Sequence, residues 1–277
     1  MTRKTRSPAV AEVIAVAKPS APWMTMVHGM SQDRRLFYAQ VEAFKGRFRL
    51  LLLDMPGHGR SADIGGPYGL EEFALSIEAA LDQAGVGTSH YWGTHTGAGA
   101  GLLLAVRHPD RFQSLILEGA VLPGRPLPTV VRTLDRARAI ALECGIEHAR
   151  KQWFDDAEWF AVMRRNPDEC RAREHWAMLS EFRGDPWLDS ELAQPVAPIA
   201  DRLPSLRVPT LIMNGQRDLA DFLEVADDLE KFLPNCRRVS IPDGGGFPLW
   251  EYPDRVNAEV WRFLDAIALQ AGPHTAS

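Results

Sequence analysis

Residues 91–101, YWGTHTGAGAG, constrain this chain more than any other stretch. Gly93 and Gly97 stand four apart, between a short apolar run and a segment rich in Ala and Leu. Small residues at both positions let a chain turn sharply from a strand into a helix, so that the residue between them is presented at the top of a sheet. Turns of this form usually present serine, in the pattern G-x-S-x-G. Here the position holds His95.

A strand–turn–helix centre needs a sheet whose strands alternate with helices, and the flanking sequence supplies them. WMTMV (23–27) and FRLLLLDM (48–55) are apolar runs of strand length, of the continuous kind that suits strands buried on both faces. Between them Leu36, Phe37, Val41 and Phe44 fall at helical spacing, and residues 70–84 form a second amphipathic segment stopped at Gly85. HYWGT and SLILEGA read as the strands on either side of the turn. VPTLIMNG and RRVSIPD read as the last two strands, with helices over 219–232 and 255–269. The class is therefore α/β, with a doubly wound, mostly parallel sheet.

Residues 123–204 break the alternation. Proline-rich segments open and close them, LPGRPLP and QPVAPIADRLP, and the interior reads as three or four helices without a strand. The expected organisation is a core of residues 1–122 and 205–277 with a helical cap, 123–204, inserted in it. The cap aromatics Trp153, Phe154, Trp159, Phe160, Trp176, Phe182 and Trp187 mostly bind the cap to itself and to the sheet, while a few line a pocket. Arg164, Arg165, Arg171 and Arg173 read as a solvated helix face.

The 277 residues suffice for one sizeable core, and a net charge of −5 gives no electrostatic reason to expect nucleic acid or an anionic membrane. No apolar run approaches membrane-spanning length. Cys144, Cys170 and Cys236 are odd in number and lack C-x-x-C spacing, which fits a reducing compartment and argues against a thiolate zinc site. The basic MTRKTR and the apolar run broken by Glu12 read as a frayed terminus followed by one edge strand, not a signal peptide, so the expected location is cytoplasmic. A homodimer stays open.

Five motifs in order resemble the α/β-hydrolase family over about residues 23–269. After the turn, AGAGLLLAVRHPDRFQSLILEGA is similar to the family's elbow helix and the strand that follows. VHGMSQDRR (27–35) resembles its oxyanion loop, and DMPGHGRSA, from Asp54, a second loop. PTLIMNGQRD (209–218) resembles the strand and loop that deliver the acidic triad member, and DGGGFPLWEYPDRV, from Asp243, the segment that carries the triad histidine, normally G-H-F-P. Gly246 stands where that histidine belongs. The resemblance implies a lid over the pocket, backbone oxyanion donors at Met30 and Thr96, an acid at Asp218, and neither cofactor nor metal. It makes His28 and His58 loop-holding residues. His28, Gly29, Trp159, Trp187 and Phe247 are the expected substrate contacts. His90 and His108 read as surface residues.

The chemistry turns on His95. Serine has become imidazole and the usual imidazole has become glycine, so the volumes are complementary. His95 is expected to reach toward the space left by Gly246 and approach Asp218, giving a histidine–carboxylate dyad that activates water or removes a substrate proton. Imidazole as the nucleophile is the rarer route. Glu118, at the end of the next strand, is a reserve partner. The expected substrate is a small carbonyl compound, apolar or aromatic, in hydrolysis or in lyase or cyclase chemistry. The competing reading is an inactive homologue that binds a small molecule or a protein partner.

Overall fold

The structure is a computed structural model that describes residues 6–270. The terminal reading of residues 1–5 lies outside the described residues. Seven strands form one sheet in the order β1-β3-β2-β4-β5-β6-β7. β1 (Val10–Ile14) runs antiparallel to β3 at the edge, and every other pairing is parallel. β2 (Trp23–Val27), β3 (Arg49–Asp54), β4 (Ser89–Thr94), β5 (Phe112–Glu118) and β6 (Thr210–Gly215) are almost wholly buried. Their apolar runs are the sequence form of a sheet covered on both faces. β7 (Cys236–Ile241) closes the far edge with alternating exposure.

The covering helices are α1 (Tyr38–Phe44), α2 (Leu70–Gln83) and α3 (Thr96–Arg107) in the first half. After β5 come α4 (Pro128–Cys144), α5 (Ile146–Asp156), α6 (Ala161–Arg165), α7 (Ala172–Ser180) and α8 (Asp185–Leu188). That is one helix more than the upper expectation, because the short turns at 161–165 and 185–188 have no periodicity to read. α9 (Ala220–Phe232), α10 (Pro248–Glu251) and α11 (Pro253–Gln270) complete the chain.

The helices between β5 and β6 are fastened to the sheet side by specific bonds. The Asp221 carboxylate accepts from the Thr129 and Val130 N–H groups at the start of α4, at 2.8 and 3.1 Å. A carboxylate there satisfies donors that the helix leaves unpaired. Trp153 Nε1 donates to Ser31 Oγ at 3.0 Å, and Trp250 Nε1 donates to the Cys170 carbonyl at 3.0 Å. Arg171, expected in solvent, instead lies over the Tyr38 and Trp250 rings and donates to the Trp250 carbonyl. Arg164 likewise turns inward to the Phe154 and Ala157 carbonyls.

Candidate active site

β4 ends and α3 begins within one residue, and His95 makes the turn with φ 45° and ψ −113°. The conformation is strained for a residue with a side chain. It is held by its own N–H donating to the Glu118 carbonyl at 2.8 Å and its carbonyl accepting from Gly99 at 2.9 Å. The flanking glycines are required by close approach. A Cβ on Gly93 would sit 2.6 Å from the Ala98 nitrogen, and one on Gly97 would sit 2.4 Å from the His28 carbonyl oxygen.

The imidazole of His95 fits between two further glycines. A Cβ on Gly119 would lie 2.8 Å from Nε2, and one on Gly29 would lie 3.2 Å from Nδ1. Phe222 and Phe247 pack on the ring at 4.7 and 4.8 Å between centroids. Nε2 is fully buried and has no hydrogen-bond partner among the described residues. Burial alone pushes the His95 pKa down to about 4, so the ring is neutral at pH 7.

The dyad expected from the sequence is not formed. Asp218 Oδ2 accepts from Asn214 Nδ2 at 2.8 Å and Oδ1 accepts from the Leu219 N–H at 2.8 Å, leaving no bond to His95. Nor does His95 reach the space beside Gly246. Trp159 fills it: a Cβ on Gly246 would lie 2.4 Å from Trp159 Cβ, and the Gly246 N–H donates to the Trp159 carbonyl at 3.2 Å. The space beside Gly246 is taken by Trp159, not by the elbow imidazole.

Without an imidazole beside it, the acid is part of a buried carboxylate group. Burial raises the Asp218 pKa to about 7, against the two hydrogen bonds it accepts. Glu251 is pushed up to about 8, chiefly by burial and further by Asp218, although its Oε2 accepts from the Gly245 N–H at 2.5 Å. Glu118 is raised well above the usual range by burial and by the charges of both. Its Oε2 has no hydrogen-bond partner among the described residues, and Oε1 accepts weakly from the Leu249 N–H at 3.4 Å. The reserve partner is therefore also unengaged with His95. Among the described residues no group of three or more His, Cys, Asp or Glu is arranged to hold a metal ion.

A cavity of about 60 Å³ opens against His95. Met30 and Thr96 line it beside His95, together with the apolar Val121, Val130, Leu134, Trp153, Trp159, Phe222 and Phe247. Among the described residues neither the Met30 nor the Thr96 N–H is engaged by another protein group. The space is smaller than the ~150 Å³ cavity known to accept benzene. It has room for a short acyl or carbonyl group.

Of the expected contacts, Trp159 and Phe247 line this cavity. His28, Gly29 and Trp187 stand behind it. His28 Nδ1 donates to the Gly29 carbonyl at 2.7 Å and Nε2 accepts from the Met55 N–H at 3.0 Å. Gly29 backs the imidazole, and Trp187 packs on Trp153 at 4.9 Å. His58 donates from Nδ1 to the Pro56 carbonyl and accepts the Ser31 N–H at Nε2, fixing the loop one residue past Met30. His90 is buried against Ser114 Oγ at 2.8 Å rather than on the surface. Sequence reasoning missed Phe222, Gly119 and Glu251. The position of Phe222 in the first turn after the Asp218 loop was the available signal for one of them.

Fold and elbow together meet a known family. The profile described as the alpha/beta hydrolase fold matches residues 22–253. The chain belongs to that family. Among its relatives, a protein of a Caulobacter species named putative carbamate hydrolase RutD is 29% identical over 87% of this chain and 89% of its own length. The pimeloyl-[acyl-carrier protein] methyl ester esterase of Nitrosomonas europaea is 25% identical over 85% and 93%. Among solved structures, the enol-lactonase of Burkholderia xenovorans superposes with a TM-score of 0.79 at 22% identity, covering 92% of this chain and 96% of that one. Among the described residues no helix is long and apolar enough to cross a membrane.

Proposed function

We propose that this α/β-hydrolase-fold chain hydrolyses a small, largely apolar carbonyl compound, with His95 as general base on water and the Met30 and Thr96 N–H groups receiving the oxyanion. The observation that carries this reading is the neutral imidazole at the elbow, lining the same apolar cavity as two unengaged backbone donors. An imidazole with a depressed pKa is already in its proton-accepting form at neutral pH. Donors held in place before the reaction stabilise developing negative charge most where water is excluded. The cavity takes only a short acyl group, and relatives named for ester, carbamate and lactone substrates share carbonyl hydrolysis as their chemistry. In this reading Asp218 shapes the loop after β6 and carries no proton for the reaction, and the 128–188 helices act as the lid.

A second reading, a binding protein without turnover, draws on the absence of a carboxylate partner for His95 and on Trp159 in the old imidazole space. Hydrolysis of short-chain p-nitrophenyl esters separates the two. The expected result is turnover that rises through about pH 4, the His95 pKa, stays level to pH 8, and is lost in His95→Ala while quenching of tryptophan fluorescence by a substrate analogue persists. Wild-type hydrolysis no faster than the protein-free blank, with analogue binding intact, establishes the binding protein instead, and turnover undiminished in His95→Ala removes His95 as the base.

A further inference from the structure

Two helices meet at the cavity beside His95, and one carboxylate joins them. Val130 and Leu134, one turn apart on α4, both line the cavity. Phe222 of α9 lines it too and packs on the His95 ring. Asp221, the residue before Phe222, is buried, and its Oδ2 accepts from both the Thr129 and the Val130 N–H, at 2.8 and 3.1 Å. A single oxygen therefore ties a lining residue of α4 to the neighbour of a lining residue of α9.

Little else fixes the start of α4. The helix begins at Pro128, and Leu127 before it supplies no side-chain hydrogen bond. Thr129 and Val130 are its second and third residues, whose N–H groups a capping side chain ordinarily takes. Val130, Leu134, Ala137 and Ala141 share one face of α4, and of these only the two alanines are buried. A helix is placed mainly by the apolar face it buries, and this face is slight. Arg125, just before the helix, adds ion pairs to Glu224 and Asp228, one and two turns beyond Asp221 on α9. Those pairs lie nearer solvent, where such contacts are weak.

We propose that Asp221 is a positioning residue for specificity: by holding down the first turn of α4 it keeps Val130 and Leu134 in the cavity wall and limits the acyl chain of a neutral ester to a few carbons. Trp153, Trp159, Phe222 and Phe247 are buried members of the lining, whereas Val121, Val130 and Leu134 are half-buried. A longer chain thus leaves the cavity on the α4 side, through the space that Val130 and Leu134 occupy.

The role of Asp221 rests on the hydrolytic reading, and its test separates the two. Hydrolysis of p-nitrophenyl acetate and hexanoate, with thermal melting, is measured in wild type, Leu134→Ala, Asp221→Ala and Asp221→Asn. Wild type favours the acetate. Leu134→Ala takes three carbons out of the wall and raises the hexanoate-to-acetate ratio of kcat/KM by about 10-fold, the scale set by admitting further methylenes to an apolar pocket. Asp221→Ala raises it likewise by freeing the turn. Asp221→Asn keeps the wild-type ratio, because its one amide oxygen accepts both N–H groups. A folded Asp221→Ala protein with the wild-type ratio overturns the proposal. So does an Asp221→Ala chain that fails to fold, since the carboxylate then supports the whole molecule and not this wall. If wild type hydrolyses neither ester, the functional reading fails by itself. The His95 imidazole shifts on titration with butan-2-one and octan-2-one then carry the test, and an octanone-to-butanone affinity ratio no higher in Asp221→Ala than in wild type overturns the role of Asp221.

Discussion

Replacing Asp218 by Asn removes one titrating proton at near-constant shape and tests whether the acid is isolated or paired. The folded pKa of about 7 stands above the ordinary aspartate value of 3.8, and burial is the cause. Folding therefore favours the protonated acid. The stability it contributes is fully present below pH 3.8 and is lost as the pH rises through about 7. At about 1.4 kcal/mol per pH unit between the two values, wild type loses about 3 kcal/mol from this group between pH 5 and pH 8. The Asp218→Asn variant has no such loss. Its new amide can still accept from the Leu219 N–H, and Asn214 must turn its amide oxygen toward the new Nδ2, at a pH-independent cost of about 1 kcal/mol. Urea unfolding of both proteins at pH 5, 6, 7 and 8 should show the difference moving by about 3 kcal/mol in favour of the variant. Taking the difference cancels the histidines, which titrate in both. An Asp218 paired with the His95 cation would have a depressed pKa and the opposite slope. A difference that is flat, or that moves against the variant as pH rises, refutes the isolated acid and restores the dyad.

Gly246→His, which would rebuild the family's histidine, should cost about 1–3 kcal/mol in denaturant unfolding and should give no ester hydrolysis when combined with His95→Ser, because its Cβ meets Trp159 at 2.4 Å. Gly119→Ala places a side chain at φ 54° and 2.8 Å from His95 Nε2, so it should destabilise by about 1–2 kcal/mol and shift the His95 imidazole resonances. Wild-type stability should be greatest at about pH 6.5 to 7 in the same unfolding assay. Below that range the four buried histidines His58, His90, His95 and His175, with pKa values lowered to about 3 or 4, gain stability with pH faster than Asp218 and Glu251 lose it; above it the histidine gain has ended and the loss from the two acids, which runs to about pH 7 and 8, prevails.

The elements that place the site were legible because each carries its own local signal. The glycines at 93 and 97 mark the turn, continuous apolar runs mark the buried strands, and the asparagine–glycine stretch after 213 marks the end of β6. The Met30 and Thr96 backbone donors were expected from the resemblance and need no side chain, and both residues line the cavity against His95. Pairings between distant side chains are a different matter. Whether the space beside Gly246 goes to His95 or to Trp159 depends on how closely the helices settle on the sheet, which no local pattern encodes. Charge complementarity suggested that His95 and Asp218 would meet, but the bonds from Asn214 and Leu219 and the Phe222 and Phe247 rings settle the two side chains separately.

Moving the imidazole to the elbow changes what the rest of the site must do. In the serine arrangement a histidine stands between hydroxyl and acid, exposed enough to carry charge and oriented by the carboxylate. At position 95 the ring is largely buried with no counter-charge beside it among the described residues, and it is held by shape: Gly29 and Gly119 on two sides, Phe222 and Phe247 against the ring. Shape fixes the ring plane as firmly as a carboxylate would, yet it adds no basicity, since every one of these neighbours favours the neutral form. The deficit reappears in the acids. Among the described residues Glu118, Asp218 and Glu251 have no ion-pair partner, and burial pushes each toward its protonated form. At neutral pH the site carries little charge: His95 is neutral, Glu118 and Glu251 favour their protonated forms, and Asp218, at about 7, stands near its midpoint, beside a cavity of about 60 Å³ that opens against His95. In the proposed hydrolysis charge appears only in the transition state, and a buried apolar cavity of this kind disfavours a substrate that brings a charge of its own.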